Sequence, residues 1–264
     1  MLTTDADAMN DYTSIADLYD LYVTETADHS FWSRLAAQAT GPILELTAGT
    51  GRATVALRAA STQAVVALDH APAMLRRLIA RFRNGPRPVW AVGGDLTILP
   101  FPADRFGLVA IPFNSFGEVL EAPQRAAVMC ELGRVLAPTG RAVVTLHNPA
   151  RRRRTLDFEV RRHGPFGAGD HRLEVLVRGR LLSAELAVSE QTYRVLDAAD
   201  QVVEERQLTF RFVLPDASSL VNMAGAAGLE LQALFGDYDE SPYVSAHSPF
   251  IVAVLGRTLG ARAA

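Results

Sequence analysis

The chain has 264 residues, a formal net charge of -3, 49% hydrophobic and 21% charged residues; such a chain can bury one large core, so extended disorder is excluded. All 26 basic residues are arginine, which removes lysine Schiff-base chemistry and a Walker-type phosphate lysine, and the mildly acidic balance disfavours nucleic acid as a partner. Cys130 is the only cysteine, which excludes an internal disulfide and a multi-cysteine zinc site, so no metal is expected and a reducing cytoplasm is the expected compartment.

The N-terminus MLTTDADAMND is acidic and lacks the apolar segment of a signal peptide, and no run reaches bilayer-spanning length, so no membrane partner is expected. Over residues 11–39 the apolar positions Ile15, Leu18, Tyr19, Tyr22, Phe31, Trp32 and Leu35 recur every three to four residues, which predicts two amphipathic helices. Residues 43–46 follow the breaker Gly41-Pro42 as a short buried strand and run into a glycine-containing turn at 48–51. A helix is expected at 53–60, a strand at 64–68 closed by Asp69, a helix at 72–82, and strands at 88–92 and 107–111. Residues 123–136 read as a helix with proline in its first turn, the stretch 137–140 as its stop, and 142–146 as a fifth strand. Apolar strands alternating with helices imply an α/β fold with a parallel sheet covered on both faces.

The pattern then changes. Between residues 151 and 214 no helix is clear, and 172–177, 186–195 and 207–213 show period-two alternation, so an inserted antiparallel β cap is expected. The tail returns to α/β with a helix at 216–227, Gly228 as its stop, and strands at 229–235 and 250–255. This divides the chain into 1–150 (leading helices and core), 151–214 (cap, for acceptor binding or dimerisation) and 215–264 (completion of the core).

ELTAGTGR, residues 45–52, is the strongest motif. Gly49 and Gly51 let backbone amides approach a ligand, and a helix opening there directs its free N–H groups at a polar group. Alone, such a turn serves nucleotides, flavins and phosphates alike. Asp69 ends the second strand about twenty residues on, where its carboxylate could accept both hydroxyls of a ribose or simply cap the next helix. Asp95 follows the third strand within GGDLTILPF and could meet an exocyclic amine, with Leu96 covering a ring, or bond its own turn. Three such sites after consecutive strands would share one crevice at the carboxyl edge of the sheet.

ELTAGTGR, VVALDHAPAML, GDLTILPF, FGLVAIPFNSF and ELGRVLAPTGRAVV, in this order over residues 43–146, resemble the successive motifs of class I S-adenosylmethionine methyltransferases. The resemblance implies a Rossmann-like, doubly wound seven-stranded sheet of order 3-2-1-4-5-7-6 and S-adenosylmethionine as cofactor. It implies that Glu45, Gly49 and Gly51 hold the methionine part, Asp69 the ribose, Met74 the adenine face, and Asp95 with Leu96 the adenine edge. Arg52 and His70, within these motifs, would also contact the cofactor, Asn114 would line the methyl-donor end, and Tyr19 from the leading helices would face the cofactor. The family often has glycine where Thr47 stands, so ordinary β backbone is expected there, with the Thr47 hydroxyl free for the cofactor carboxylate. A NADP or flavin reading lacks the six-residue glycine fingerprint, and Asp69 would repel a 2′-phosphate.

His147, at the end of the fifth strand, is the candidate general base by position and type; the bland alternative is a loop histidine. Tyr12, Tyr22, Trp32, Phe116, Tyr193 and Arg211 are candidates for contact with a small-molecule acceptor, as are His163 and His171, although aromatics at helical spacing are also ordinary core. The run Arg151, Arg152, Arg153, Arg154 either grips an anion or faces water. A small-molecule N- or O-methyltransferase is expected; the alternatives are an RNA or protein methyltransferase, or a scaffold or cyclising enzyme that binds the cofactor without methyl transfer. A homodimer stays open.

Overall fold

The computed structural model describes residues 10–85, 87–157, 159–167 and 171–258; the polar extreme N-terminus, residues 1–9, lies outside them. A seven-stranded sheet contains β1 (Ile43–Leu46), β2 (Val65–Asp69), β3 (Val89–Gly93), β4 (Phe106–Ile111), β5 (Leu136–His147), β10 (Leu229–Phe235) and β11 (Phe250–Arg257). The cap contributes β6 (Val160–Phe166), β7 (Arg172–Leu181), β8 (Leu186–Leu196) and β9 (Val202–Val213). The helices are α1 (Tyr19–Tyr22), α2 (His29–Gln38), α3 (Arg52–Ala60), α4 (Pro72–Phe82), α5 (Ala122–Val135), α6 (Pro149–Arg152) and α7 (Ala217–Ala226).

The order of the large sheet is β10-β11-β5-β4-β1-β2-β3, which is 3-2-1-4-5-7-6 once the cap strands are left out of the count. β1, β2, β3, β4 and β5 run parallel, whereas β11 is antiparallel to both β5 and β10. Every residue of β1 and β4 is buried, because helices cover both faces of a parallel sheet; Glu45 is the one charged side chain in these two strands. One core cluster joins Leu46, Ile111, Leu132 and Leu220; a second, on the opposite face, joins Trp32, Leu57, Val143 and Val254.

Two readings ahead of the cap differ from expectation. The stop at 137–140 is part of β5, which starts at Leu136 and pairs it with Phe106 across a register shift. Gly140 makes this possible, because a Cβ there would lie 2.6 Å from the Phe106 carbonyl oxygen. In place of two helices over 11–39 there is one 3-10 turn (Thr13–Ile15), the four-residue α1 and the ten-residue α2. Segments that short do not hold themselves in water, so contacts with the site set their shape.

The cap contains the three expected strands and a fourth, β6, whose sequence VRRHGPF lacks alternation. The antiparallel order is β6-β7-β8-β9. Leu173 and Val175 on β7, Tyr193 on β8 and Leu208 on β9 pack with Ile15, Leu18 and Met74. This decides which alternating set of cap residues looks inward. The helix α6 was also unexpected; Pro149 occupies its first turn, and the Asn148 side chain accepts the Ala150 N–H at 3.2 Å, a cap that satisfies an otherwise orphaned donor.

Candidate active site

A cavity of about 900 Å³ lies between the carboxyl ends of the parallel strands, the leading tyrosines and the inner face of the cap. That is near the upper end of ligand-pocket sizes, roughly 300–1,000 Å³, so it has room for two small molecules side by side.

Its floor is the turn after β1. Thr47, Gly49 and Gly51 have φ of 56°, 56° and 90°, so the expected β backbone at Thr47 is overturned. The turn needs a left-handed residue at the position where glycine is common, and threonine holds it at a cost of about 1–3 kcal/mol. The Thr47 hydroxyl donates to the Leu46 carbonyl at 2.5 Å and is thus committed within its own turn. A Cβ on Gly49 would meet nothing within 4 Å; this residue faces open cavity. Gly51 is different: a Cβ there would lie 2.9 Å from Phe82, so this glycine serves the packing of α3 on α4.

Asp69 ties the turn to β2. Its Oδ2 accepts the Gly49 N–H at 2.7 Å and its Oδ1 the Ala71 N–H at 2.8 Å, which leaves lone pairs on both oxygens toward the cavity. His70, Met74 and Leu96 line the same wall. Asp95 also lines it, with its Oδ1 accepting the N–H and hydroxyl of Thr97 at 2.7 and 2.8 Å.

Two further carboxylates stand in this half. Glu45 is buried, takes the Thr54 hydroxyl at 2.5 Å, and is pushed up by burial to about 8. Glu118, which the sequence reading missed, accepts from the Tyr12 hydroxyl at 3.0 Å and from Asn10 at 2.8 Å, and burial pushes it up to about 7. Its one sequence signal is a lone carboxylate in the apolar run FGEVL.

The leading segment closes the mouth. Tyr12, Tyr19 and Tyr22 all line the cavity, and Thr50 and Arg81 latch α1 by bonding Asp20 at 2.5 and 2.8 Å. Trp32 does not join them. It is fully buried beneath the turn and donates to Asp28 at 2.9 Å, while Arg52 grips the same carboxylate at 2.5 and 2.7 Å. Arg52 still borders the cavity, with its guanidinium 5.2 Å from the centre of the Phe113 ring.

At the ends of β4 and β5, Asn114 accepts the His147 N–H at 3.0 Å and so joins the two strand ends. The His147 ring lies between Phe113 and Phe250, with centroids 5.8 and 5.6 Å away. Burial, with the charge of Arg152 nearby, pushes it down to about 4. The imidazole is therefore neutral at physiological pH, and its base form is lost only in acid.

Tyr193 lines the cap side and donates to Gln191 at 2.7 Å. His163 also lines it, with its ring 5.6 Å from that of Tyr22, whereas His171 is exposed outside. Two other acceptor candidates lie elsewhere. Phe116 is fully buried in the main core, because its 3-10 turn (Ser115–Glu118) directs it inward. Arg211 is exposed on the outer face of β9, since residues 210 and 212 take the inward positions; only its backbone meets Asn10. The arginine run is also divided: Arg152 lines the cavity, and Arg151, Arg153 and Arg154 face solvent.

The raised carboxylates have a measurable consequence. Glu45 binds its proton more tightly folded than unfolded, so stability falls as pH rises from about 4.5, its ordinary value, to about 8, and Glu118 acts likewise up to about 7. His147, held below its ordinary value of 6.5, opposes this only on the acid side of that value. Chemical denaturation from pH 6.5 to 8 should therefore show falling stability, and Glu45→Gln should reduce the slope. An unchanged slope in that variant would contradict the assignment.

Residues 43–140 match the family described as methyltransferase domain. Curated relatives include the demethylmenaquinone methyltransferases of Mycobacterium sp. (strain KMS), 37% identical over 140 residues, and of Clavibacter sepedonicus, 36% identical over 143. The first alignment covers 50% of this chain and 56% of the relative, so the chain spans about half the length of the curated relatives it matches. Among solved structures, the CcbJ methyltransferase from Streptomyces caelestis has a TM-score of 0.77 at 24% identity, covering 96% of this chain and 100% of that one. The sugar N-methyltransferase KedS8 from Streptoalloteichus sp. has a TM-score of 0.72 at 18% identity, covering 98% of each chain. These likenesses show that the chain shares the fold of those structures through the cap and the closing strands.

Proposed function

We propose that the chain is a methyltransferase that binds S-adenosylmethionine and transfers its methyl group to a nitrogen or oxygen of a small molecule held beneath the β cap. The observation that carries this reading is the single cavity onto which the open side of Gly49, the carboxylates of Asp69 and Asp95, His147 and the cap all face. The donor set fits the cofactor chemically. Glu45 and Glu118 are carboxylates that burial discourages from ionising, and a ligand bearing ammonium and sulfonium charge would restore their charge.

Bound there, S-adenosylmethionine would supply a methyl group already activated by its sulfonium. Asp69 would accept from the ribose hydroxyls, Met74 would cover the adenine face, and Asp95 with Leu96 would take the adenine edge. Glu45 and Gly49 would hold the methionine part, and Tyr19 would close over it. Holding an acceptor in line can supply about 7–11 kcal/mol at best, so positioning is the protein's main contribution. His147, neutral and at the far end of the cavity, would accept the acceptor's proton where one must leave.

Incubating the protein with methyl-labelled S-adenosylmethionine and a panel of amines, phenols and carboxylic acids, alongside calorimetry with S-adenosylhomocysteine, tests this reading. Product binding with labelled acceptor formed is the expected result. Tight binding with no methylated product across the panel would favour a scaffold or cyclising role, and absence of binding would overturn the cofactor assignment.

A further inference from the structure

The two halves of the cavity differ in charge. The half formed by the ends of β1 and β2 and by the 3-10 turn after β4 holds Glu45, Asp69 and Glu118, and its one arginine, Arg52, is committed to Asp28. The half beneath the cap holds Arg152, which forms no ion pair among the described residues. Its Nε is buried without a hydrogen-bond partner, one Nη meets the Thr155 hydroxyl at 3.3 Å, and the guanidinium lies 5.4 Å from the centre of the Phe212 ring. The nearby Arg161 is occupied by Asp157 at 2.7 Å, and Glu159, on the same side, is exposed and does not reach Arg152. A half-buried guanidinium with one donor buried and unpartnered lacks the counter-charge it would gain from an anion, and a planar oxyanion is its natural counterpart.

Next to it the cap supplies an aromatic wall. The Tyr22 ring lies 5.9 Å from Phe166, 6.0 Å from Tyr193 and 5.6 Å from His163. Flat rings at these separations offer stacking and edge contacts to a ring-shaped ligand.

Resting on the reading of the site given above, we infer that the methyl acceptor is a ring-bearing organic oxyanion, a carboxylate or a phosphate ester, whose charged oxygens dock on Arg152 while its ring lies against Tyr22 and Phe166, which the buried Tyr193 backs. Arg152 thereby determines acceptor specificity and fixes which end of the acceptor enters first. Arg152 and His147 line the same cavity, and the charge of Arg152 reaches the imidazole and helps hold it neutral.

The test uses the full chain saturated with S-adenosylhomocysteine, whose own binding is measured first, so that failure of the cofactor reading is seen separately. Benzoate, phenyl phosphate and the neutral benzamide are then titrated by ligand-observed NMR. At least one anion should bind about tenfold or more tightly than benzamide, as a charge-assisted contact requires, and the stronger of the two identifies carboxylate or phosphate as the group. Arg152→Gln should abolish the preference, whereas the exposed Arg153→Gln should keep it. Should Arg152→Gln fail to fold, the His147 imidazole resonances of the wild-type protein give the same answer: the anion shifts them and benzamide does not. Equal affinity for anion and amide, a preference that persists in Arg152→Gln, or His147 signals unmoved by the anion would overturn the inference.

Discussion

Replacing Asp69 with alanine should weaken binding of S-adenosylmethionine, or of its demethylated product, by roughly 100-fold or more. Hydrogen bonds to a charged acceptor contribute about 1.5–3 kcal/mol each, and the carboxylate could take two ribose hydroxyls on the lone pairs that Gly49 and Ala71 leave free. The loss has a second source, because the same oxygens hold the Gly49 N–H and so keep the floor of the cavity in shape. Asp69→Asn retains one acceptor oxygen and should fall between alanine and wild type. Calorimetry decides the matter: wild-type affinity in the alanine variant would dismiss the ribose role, and circular dichroism establishes that the variant is folded.

Replacing Arg52 with methionine should cost about 3–5 kcal/mol of stability, because it strands the charge of Asp28. Asp28 is 1% exposed and receives both guanidinium nitrogens together with the Trp32 indole. For a chain of this size such a loss lowers the melting temperature by roughly 10 °C. Denaturant unfolding followed by tryptophan fluorescence measures it, since Trp32 sits on the affected carboxylate. A midpoint equal to that of wild type would mean that the pair is only a surface-grade contact. Adding Asp28→Asn to the methionine variant should recover part of the loss by removing the stranded charge.

The parallel strands and the turn after β1 were legible in the sequence, because apolar runs, glycines and strand-end acids are local signals repeated in a regular cycle, whereas the order of the strands came from the family resemblance. Gly49, Asp69 and Asp95 could be located for the same reason: each lies at the carboxyl end of a strand, and that edge of the sheet faces the cavity whatever the cap does. Thr47 marks the limit of this reasoning. A β-branched residue locally prefers β backbone, yet the turn imposes a positive φ because its geometry is set jointly by β1, β2 and α3.

Beyond the sheet edge, spacing could not assign direction. Trp32 and Tyr22 have the same helical periodicity, but one is buried against Asp28 and the other lines the cavity. Arg152 and Arg153 are neighbours in one charge run, but only the first faces the cavity, because the single turn of α6 separates them by direction. In β9, Phe210 and Phe212 look inward and Arg211 outward, a choice that alternation predicts only up to its parity.

The sequence by itself therefore determined the strands, the cavity-facing edge of the sheet and the presence of a glycine turn after β1. The tertiary structure alone decided which tyrosines, carboxylates and arginines share the cavity. The physical reason is that strands and turns follow from contacts between near neighbours in the chain. The cavity wall is assembled from Asn10 to Phe212, and its membership depends on how the cap packs over the leading segment, which no local pattern encodes.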